Sequence, residues 1–174
     1  MAEAGDRIAR LRKLAGVMLG TGVRDVELRP SGGPHPVGWP DLFLIRLPGG
    51  RPRIPELDGE LRLRVLTGAW RLESRERVLA APSDPPDALA SAFGVLAGQA
   101  VSGLRIDSPG LDTTIWFGDV RLRVFPVSTR PLPDGVPAWT LRTALGVRLV
   151  VGPGGNWGIS RPRPMDRSDK EAVP

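Results

Sequence analysis

The sequence contains an internal duplication, which constrains the fold more than any other feature of the chain. Four segments of the first half recur in the second half, in the same order and with matching glycines and apolar residues. The matched pairs are 14–28 with 92–106, 59–65 with 118–124, 69–72 with 138–141 and 78–82 with 149–153. We therefore predict one domain over residues 1–160 that contains two related halves, about 6–81 and 82–160.

Each half is predicted to form one helix followed by five short strands. Asp6 and Asp84 are the expected N-caps of the two helices. Gly20 and Gly98 are expected to end them. Period-two alternation then predicts strands at 22–29, 41–47, 60–66, 69–74 and 77–80, and at 100–106, 111–117, 119–126, 138–143 and 147–151. Residues 156–160 are a candidate for one extra strand in the second half. Because short loops favour antiparallel pairing, we predict an α+β, mainly β fold. Its two tandem α-β-β-β-β-β pseudo-repeats would form antiparallel sheets around a shared core.

The composition excludes several classes of chemistry. The chain has no Cys, which excludes disulfides, thiolate metal sites and cysteine nucleophiles, and His35 is its only histidine. A lone histidine in a loop is more often solvated or structural than catalytic. The Gly-rich segment 152–158 lacks the Lys-Ser or Lys-Thr pair of a phosphate-binding loop. We predict no bound metal and no cofactor.

Two aspartates are the remaining catalytic candidates. Asp41 and Asp112 lie at the start of the second predicted strand of each half, and paired carboxylates can act as acid and base. Duplicated aspartates serve more commonly as turn or cap residues. We therefore predict a protein without enzymatic activity and without catalytic residues, and keep a small enzyme that uses this pair as a minor alternative.

The net charge of +5 and the pI of about 11.0 are compatible with an anionic partner. The charge is spread along the sequence, however, and no segment dominates it. All of the basic residues except Lys13 and Lys170 are arginines. The first residues of the chain lack the apolar region of a signal peptide, and no apolar run has the length needed to span a bilayer. We expect a cytoplasmic protein with no membrane partner and with a flexible tail at 161–174.

Two strands present matched arginine pairs on their outer faces. The pairs are Arg62 with Arg64 in the first half and Arg121 with Arg123 in the second. Guanidinium groups bind phosphate oxygens in a bidentate manner, so these pairs are candidates for nucleic-acid contact. The alternative, which we favour, is cross-strand pairing with acidic residues. The acidic candidates are Glu27, Glu73 and Asp119.

The Pro-rich segments inserted into the repeats are the best candidates for a partner-binding surface. They span 30–40, 48–59 and 126–137 and carry Trp39, Arg51, Arg53 and Arg130. Trp and Arg are enriched at interface hot spots. These loops could equally cover the edges of the sheets. Trp70 and Trp139 occupy equivalent positions of the repeats, so we predict that both are buried in the core.

The second half resembles a family of small, uncharacterised actinobacterial proteins built from two such repeats. The residues that carry the resemblance are Gly98, Val101, Asp112, Phe117, Leu122, Val124, Trp139, Leu141, Gly152, Pro153, Gly154, Gly155 and Trp157. The resemblance implies a binding role, sometimes an immunity-like one, and supplies no catalytic residue.

We expect from these observations a non-enzymatic interaction protein whose partner is another protein. An immunity-like or partner-blocking role is one form of this function. The alternative is a nucleic-acid-binding module that uses the outward-facing arginines.

Overall fold

The computed structural model describes residues 2–30, 38–46, 60–67, 69–127 and 136–161. Short strands dominate these ranges, and two helices open the two halves of the repeat. The helices are α1 Ala2–Ala15, which continues into a 3-10 turn at Gly16–Met18, and α2 Pro86–Gly94. The strands are β1 Thr21–Pro30, β2 Gly38–Arg46, β3 Leu61–Val65, β4 Ala69–Glu73, β5 Val78–Ala80, β6 Gly103–Asp107, β7 Asp112–Phe117, β8 Val120–Phe125, β9 Trp139–Thr143, β10 Arg148–Val151 and β11 Trp157–Ser160.

The strands form two antiparallel sheets. One sheet has six strands in the order β1-β2-β3-β9-β10-β11, and the other has five in the order β5-β4-β8-β7-β6. The prediction of an α+β, mainly β fold with antiparallel sheets is confirmed. The first half has the five predicted strands, whereas six strands, β6 to β11, follow the helix of the second half. Alternating apolar residues made the strands recognisable, as in β7, where every second residue is buried.

The two halves exchange strands. Strands β1 to β3 of the first half share a sheet with β9 to β11 of the second, joined where β3 pairs with β9. Strands β6 to β8 of the second half share the other sheet with β4 and β5 of the first, joined where β8 pairs with β4. The exchange is symmetric, because β3 pairs with β9 in the same way as its repeat counterpart β8 pairs with β4. Neither sheet is therefore complete without strands from both halves.

A pseudo-two-fold axis passes between Gly22 and Ala100. These equivalent residues face each other in an isolated antiparallel bridge. Four hydrogen bonds of 2.8–2.9 Å surround the bridge in two equivalent pairs, as expected when a segment pairs with its own counterpart. They run from Gly20 N–H to Val101 O, from Gly98 N–H to Val23 O, from Val23 N–H to Gln99 O and from Val101 N–H to Thr21 O. Gly20 and Gly98 have φ angles of +76° and +74°, a conformation that favours glycine.

The core lies between the inner faces of the two sheets and beneath the helices. Trp70 and Trp139 are both completely buried, as predicted. The indole N–H of Trp139 in β9 donates to the hydroxyl of Thr113 in β7, at 3.0 Å, and so joins the two sheets. The ring of Trp70 meets Phe93 of α2 edge-on, with centroids 5.3 Å apart.

Both predicted helix caps are wrong. The helix of the first half begins at Ala2, so Asp6 lies inside it rather than at its N-cap. In the second half Pro85 takes the N-cap position, and the carboxylate of Asp84 instead accepts the N–H of Ala81 at 2.8 Å. Aspartate satisfies backbone donors in turns as readily as at helix ends, so the residue type alone does not distinguish the two.

The starts of two strands differ from the prediction by three residues, and the other strand boundaries by at most one. Strand β6 begins at Gly103 rather than at residue 100, because residues 98–101 pair with the counterpart segment instead. Strand β2 begins at Gly38 rather than at residue 41, so its first three residues are extended although they include Gly38 and Pro40. Proline is tolerated at the start of a strand, where no ladder donor is lost.

Candidate functional site

On the outer face of the six-stranded sheet, Asp41 is covered by three arginines. Asp41 lies on β2, and its side chain is only 2% exposed. Arg62 binds both of its carboxylate oxygens, at 2.8 and 2.6 Å. Arg29 and Arg64 approach Oδ2 at 3.1 and 3.2 Å. Three guanidiniums carry more N–H donors than one carboxylate can accept, so donors remain for another acceptor.

The outer face of the five-stranded sheet has a similar cluster around Glu73 of β4. The side chain of Glu73 is 7% exposed and contacts Arg121 at 2.8 Å, Arg71 at 3.3 Å and Arg123 at 3.7 Å. The carboxylates of the two clusters come from different neighbouring strands. Asp41 comes from β2 on one side of β3, whereas Glu73 comes from β4 on the other side of β8.

Each cluster also has a phenylalanine covered by two guanidiniums. The guanidinium carbons of Arg62 and Arg24 lie 4.6 and 5.6 Å from the ring centre of Phe43, and those of Arg123 and Arg71 lie 4.8 and 5.2 Å from that of Phe125. Stacking on an aromatic face holds a guanidinium in one orientation. All four arginines of the predicted pairs therefore lie on outer faces and contact acidic side chains there.

Three arginines stand opposite one another across β3, β9 and β10. Arg62 faces Arg142, and Arg142 faces Arg148. Adjacent strands lie about 4.8 Å apart, and like charges directly opposite each other are unfavourable. Among the described residues, neither Arg142 nor Arg148 forms an ion pair with an acidic side chain.

The equivalent row of the other sheet is not uniformly basic. Arg121, the counterpart of Arg62, stands opposite Glu73, and Glu73 stands opposite Val78. The scaffold thus holds a carboxylate in one sheet at the position where the other sheet holds Arg142. The pairings of β3 with β9 and of β8 with β4 match, whereas β4 and β5 pair with a register shift between Leu72 and Glu73 that β9 and β10 lack.

We name Arg62, Arg64, Arg142 and Arg148 the basic ridge. The strands that carry them contain no Asp or Glu. Burial lowers the pKa of the Arg64 guanidinium, Asp41 opposes this shift, and the charges of Arg29, Arg62 and Arg148 lower the pKa further. The hydrogen bond to Asp41 raises the pKa of Arg62. The pKa of Arg64 is therefore lowered mainly by burial, and neighbouring arginines add to this effect.

A mostly apolar pocket of about 270 Å³ lies beside the basic ridge. Its lining includes Pro137, Val150, Pro153, Asn156, Trp157 and Gly158. Val150 follows Arg148 by two residues on β10 and so shares its face. Ser160, another lining residue, stands directly opposite Arg148 on β11.

The loop between β10 and β11 forms one end of this pocket and is closely packed. The N–H of Gly152 donates to Asn156 O at 2.8 Å, and the side-chain amide of Asn156 donates to Pro153 O at 3.3 Å. Gly155 has a φ of +73°, and a Cβ atom placed there would lie 2.9 Å from the carbonyl oxygen of Pro109. The loop is therefore held against the β6–β7 turn of the other sheet.

We expect Gly155→Ala to lower the free energy of unfolding by about 2 kcal/mol, because it combines a left-handed φ with a backbone clash. Urea denaturation followed by circular dichroism measures the change. The matched control is Gly94→Ala at the end of α2, where an added Cβ meets no atom within 4 Å. A Gly155 variant as stable as this control would contradict the close packing of the loop.

The structure describes only part of the predicted loop surface. Trp39 lies on β2, opposite Arg29, and not in a loop, so the loop placement predicted for it is wrong. Its side chain is partly buried against the core. Arg51, Arg53 and Arg130 lie outside the described residues, as do His35 and most of the tail at 161–174.

The two aspartates of the proposed acid–base pair do not come together. Asp41 lies in the six-stranded sheet and Asp112 in the five-stranded one. They are also not equivalent, because Asp41 faces Arg64 whereas the residue that faces Arg123 is Thr114. The predicted match of Asp41 with Asp112 is therefore wrong. Within the described ranges, no group of three or more Asp, Glu, His or Cys side chains could hold a metal ion.

Sequence reasoning missed Arg142 and Arg148. A signal for Arg142 was present, because AWRLE at 69–73 aligns with AWTLR at 138–142 and so sets Glu73 against Arg142. No comparable signal marked Arg148, whose place in the row depends on the pairing of β9 with β10.

No protein-family model, curated protein or solved structure matches this chain. The resemblance to an actinobacterial two-repeat family therefore stays a prediction. In the part of the chain that the structure covers, no helix has both the length and the apolar character needed to cross a membrane.

Proposed function

We propose that this chain is a non-enzymatic binding protein whose ligand is a nucleic acid, held by its phosphates on the basic ridge. The row of Arg62, Arg142 and Arg148, opposite one another on adjacent strands, carries this proposal. A row of like charges is unfavourable in the isolated protein and becomes favourable when an array of phosphates lies along it.

The arrangement of charge supports a phosphate ligand. Arg142 and Arg148 are exposed, and each guanidinium offers a planar set of donors suited to phosphate oxygens. The acidic side chains Glu27 and Asp41 contact the ridge at Arg62 and Arg64, whereas Arg142 and Arg148 form no ion pair among the described residues. A nucleic-acid footprint is expected to concentrate on one face in this way, although the same charges are dispersed along the sequence.

A protein partner was the preferred expectation from the sequence, and it depended on the inserted loops. The surface that the structure does describe supports the nucleic-acid alternative instead, because it is basic at β3, β9 and β10. An acidic protein would also be attracted to such a face, so the experiment includes an acidic polypeptide.

Fluorescence anisotropy with a labelled 12-nucleotide single strand tests the proposal. We expect binding that weakens with salt, because counterions are released from each neutralised phosphate. Arg142→Ala with Arg148→Ala should weaken binding about tenfold or more at 0.1 M salt. The slope of log K against log [salt] should become less steep by about 1.4, since each lost contact to a single strand contributes about 0.7.

The matched control is Arg75→Ala with Arg77→Ala. It removes the same charge from the exposed β4–β5 turn of the other sheet and should leave affinity within about twofold. Equal weakening by both double variants would show attraction by net charge alone and overturn the proposal. Binding of poly-glutamate as tight as that of the oligonucleotide would overturn it in favour of an acidic protein partner.

A further inference from the structure

We infer that the pocket beside the basic ridge takes one unstacked base of a single-stranded nucleic acid. This inference rests on the proposed function, because the ridge would hold the phosphates next to that base. It predicts a preference for single strands over duplexes, since a base paired inside a duplex is not free to enter a pocket.

The size and lining of the pocket fit one aromatic ring. Its volume of about 270 Å³ is below the range of roughly 300–1,000 Å³ typical of pockets for larger ligands. The lining is mainly apolar and includes Trp157, which also packs against the core. Bases stack on aromatic side chains without regard to sequence, because every base has a π face. The Asn156 amide supplies a polar group at the same site.

The pocket continues directly into the basic ridge. Ser160 and Gly158 of β11 line the pocket and stand opposite Arg148 and Val150 of β10. One strand spacing, about 4.8 Å, therefore separates the row of arginines from the lining of the pocket. A nucleotide carries its charge on the phosphate and its apolar surface on the base, so this combination of surfaces matches it.

The pocket is formed before any ligand arrives. The loop at its end is held by the hydrogen bond from Gly152 N–H to Asn156 O and by the contact of Gly155 with Pro109. A preformed pocket requires little ordering of the protein when the base enters, which favours binding.

Filling the pocket without disturbing the fold tests the inference. An added Cβ at Gly158 meets no atom within 4 Å, so Gly158→Leu places a side chain in the open space of the pocket. The two probes are a 12-nucleotide thymidine strand and an abasic strand of equal length, which keeps every phosphate but has no bases. We expect the natural chain to bind the thymidine strand about tenfold more tightly than the abasic one.

Gly158→Leu should remove this difference and leave the salt dependence unchanged, because the number of phosphate contacts stays the same. The matched control, Gly5→Leu on α1, also adds a side chain in open space and should keep the tenfold difference. A 5-iodouracil strand should cross-link to Trp157 in the natural chain and not in the Gly158 variant.

Two results would overturn the inference while leaving the proposed function intact. One is equal binding of the thymidine and abasic strands by the natural chain, with Arg142→Ala and Arg148→Ala still weakening both. The other is an unchanged preference for bases in Gly158→Leu. Failure of the natural chain to bind either strand would instead overturn the proposed function itself.

Discussion

Replacing Trp139 with alanine should lower the free energy of unfolding by about 3–5 kcal/mol. The indole is completely buried and donates its N–H to Thr113 across the interface of the two sheets. Its removal leaves a large cavity and a hydroxyl that has lost its donor. Urea denaturation followed by circular dichroism measures the change, and a loss of this size is a large fraction of the stability of a small protein.

Two further variants separate the contributions to this loss. Trp139→Phe keeps most of the apolar volume and removes the hydrogen bond, so we expect it to be destabilised less than the alanine variant. Trp39→Ala removes the same side chain from a partly buried position on β2 and should have a smaller effect. If Trp139→Ala unfolded at the same urea concentration as the natural chain, the ring could not be a part of the core.

Asp41→Asn should lower the free energy of unfolding by about 2–3 kcal/mol. The substitution leaves three guanidiniums around a neutral amide, and one of them loses a bidentate partner. Breaking a fully buried ion pair typically costs about 3–5 kcal/mol, and the partly exposed arginines reduce this figure through solvent screening. Chemical denaturation at low salt measures it.

Salt provides an internal test of the same prediction. Added salt screens the repulsion among the arginines, so the loss should shrink as the ionic strength rises. The matched control is Asp107→Asn, which removes the partner of Arg105 at an exposed position and should change stability by less than about 1 kcal/mol. Equal effects of the two substitutions would contradict the buried role of Asp41.

The strands were predictable because their signal is local. In β3 and β8 the apolar residues alternate with arginines, and each observed strand lies within a few residues of its predicted position. The helix caps were not predictable in the same way. Asp84 satisfies a backbone donor in a turn, and the one-dimensional pattern does not separate that use from a helix cap.

The candidate site was only partly visible in the sequence. Alternation correctly directed Arg62 and Arg64 to an outer face, but the neighbours of that face come from residues far along the chain. Arg142 and Arg148 join them only because β3 pairs with β9 and β9 with β10. A strand exchange of this kind depends on the whole fold, so residue spacing within either half could not predict it.

The sequence by itself determined the strands, the repeat and the identity of the buried tryptophans, because these follow from the order and apolar character of neighbouring residues. The tertiary structure alone decided that the halves exchange strands about an axis at Gly22 and Ala100. It also decided that one outer face carries an unbroken row of arginines while its counterpart carries Glu73. The physical reason is that electrostatic neighbours are set by distance in space, and pairing between strands brings together charges that lie far apart along the chain.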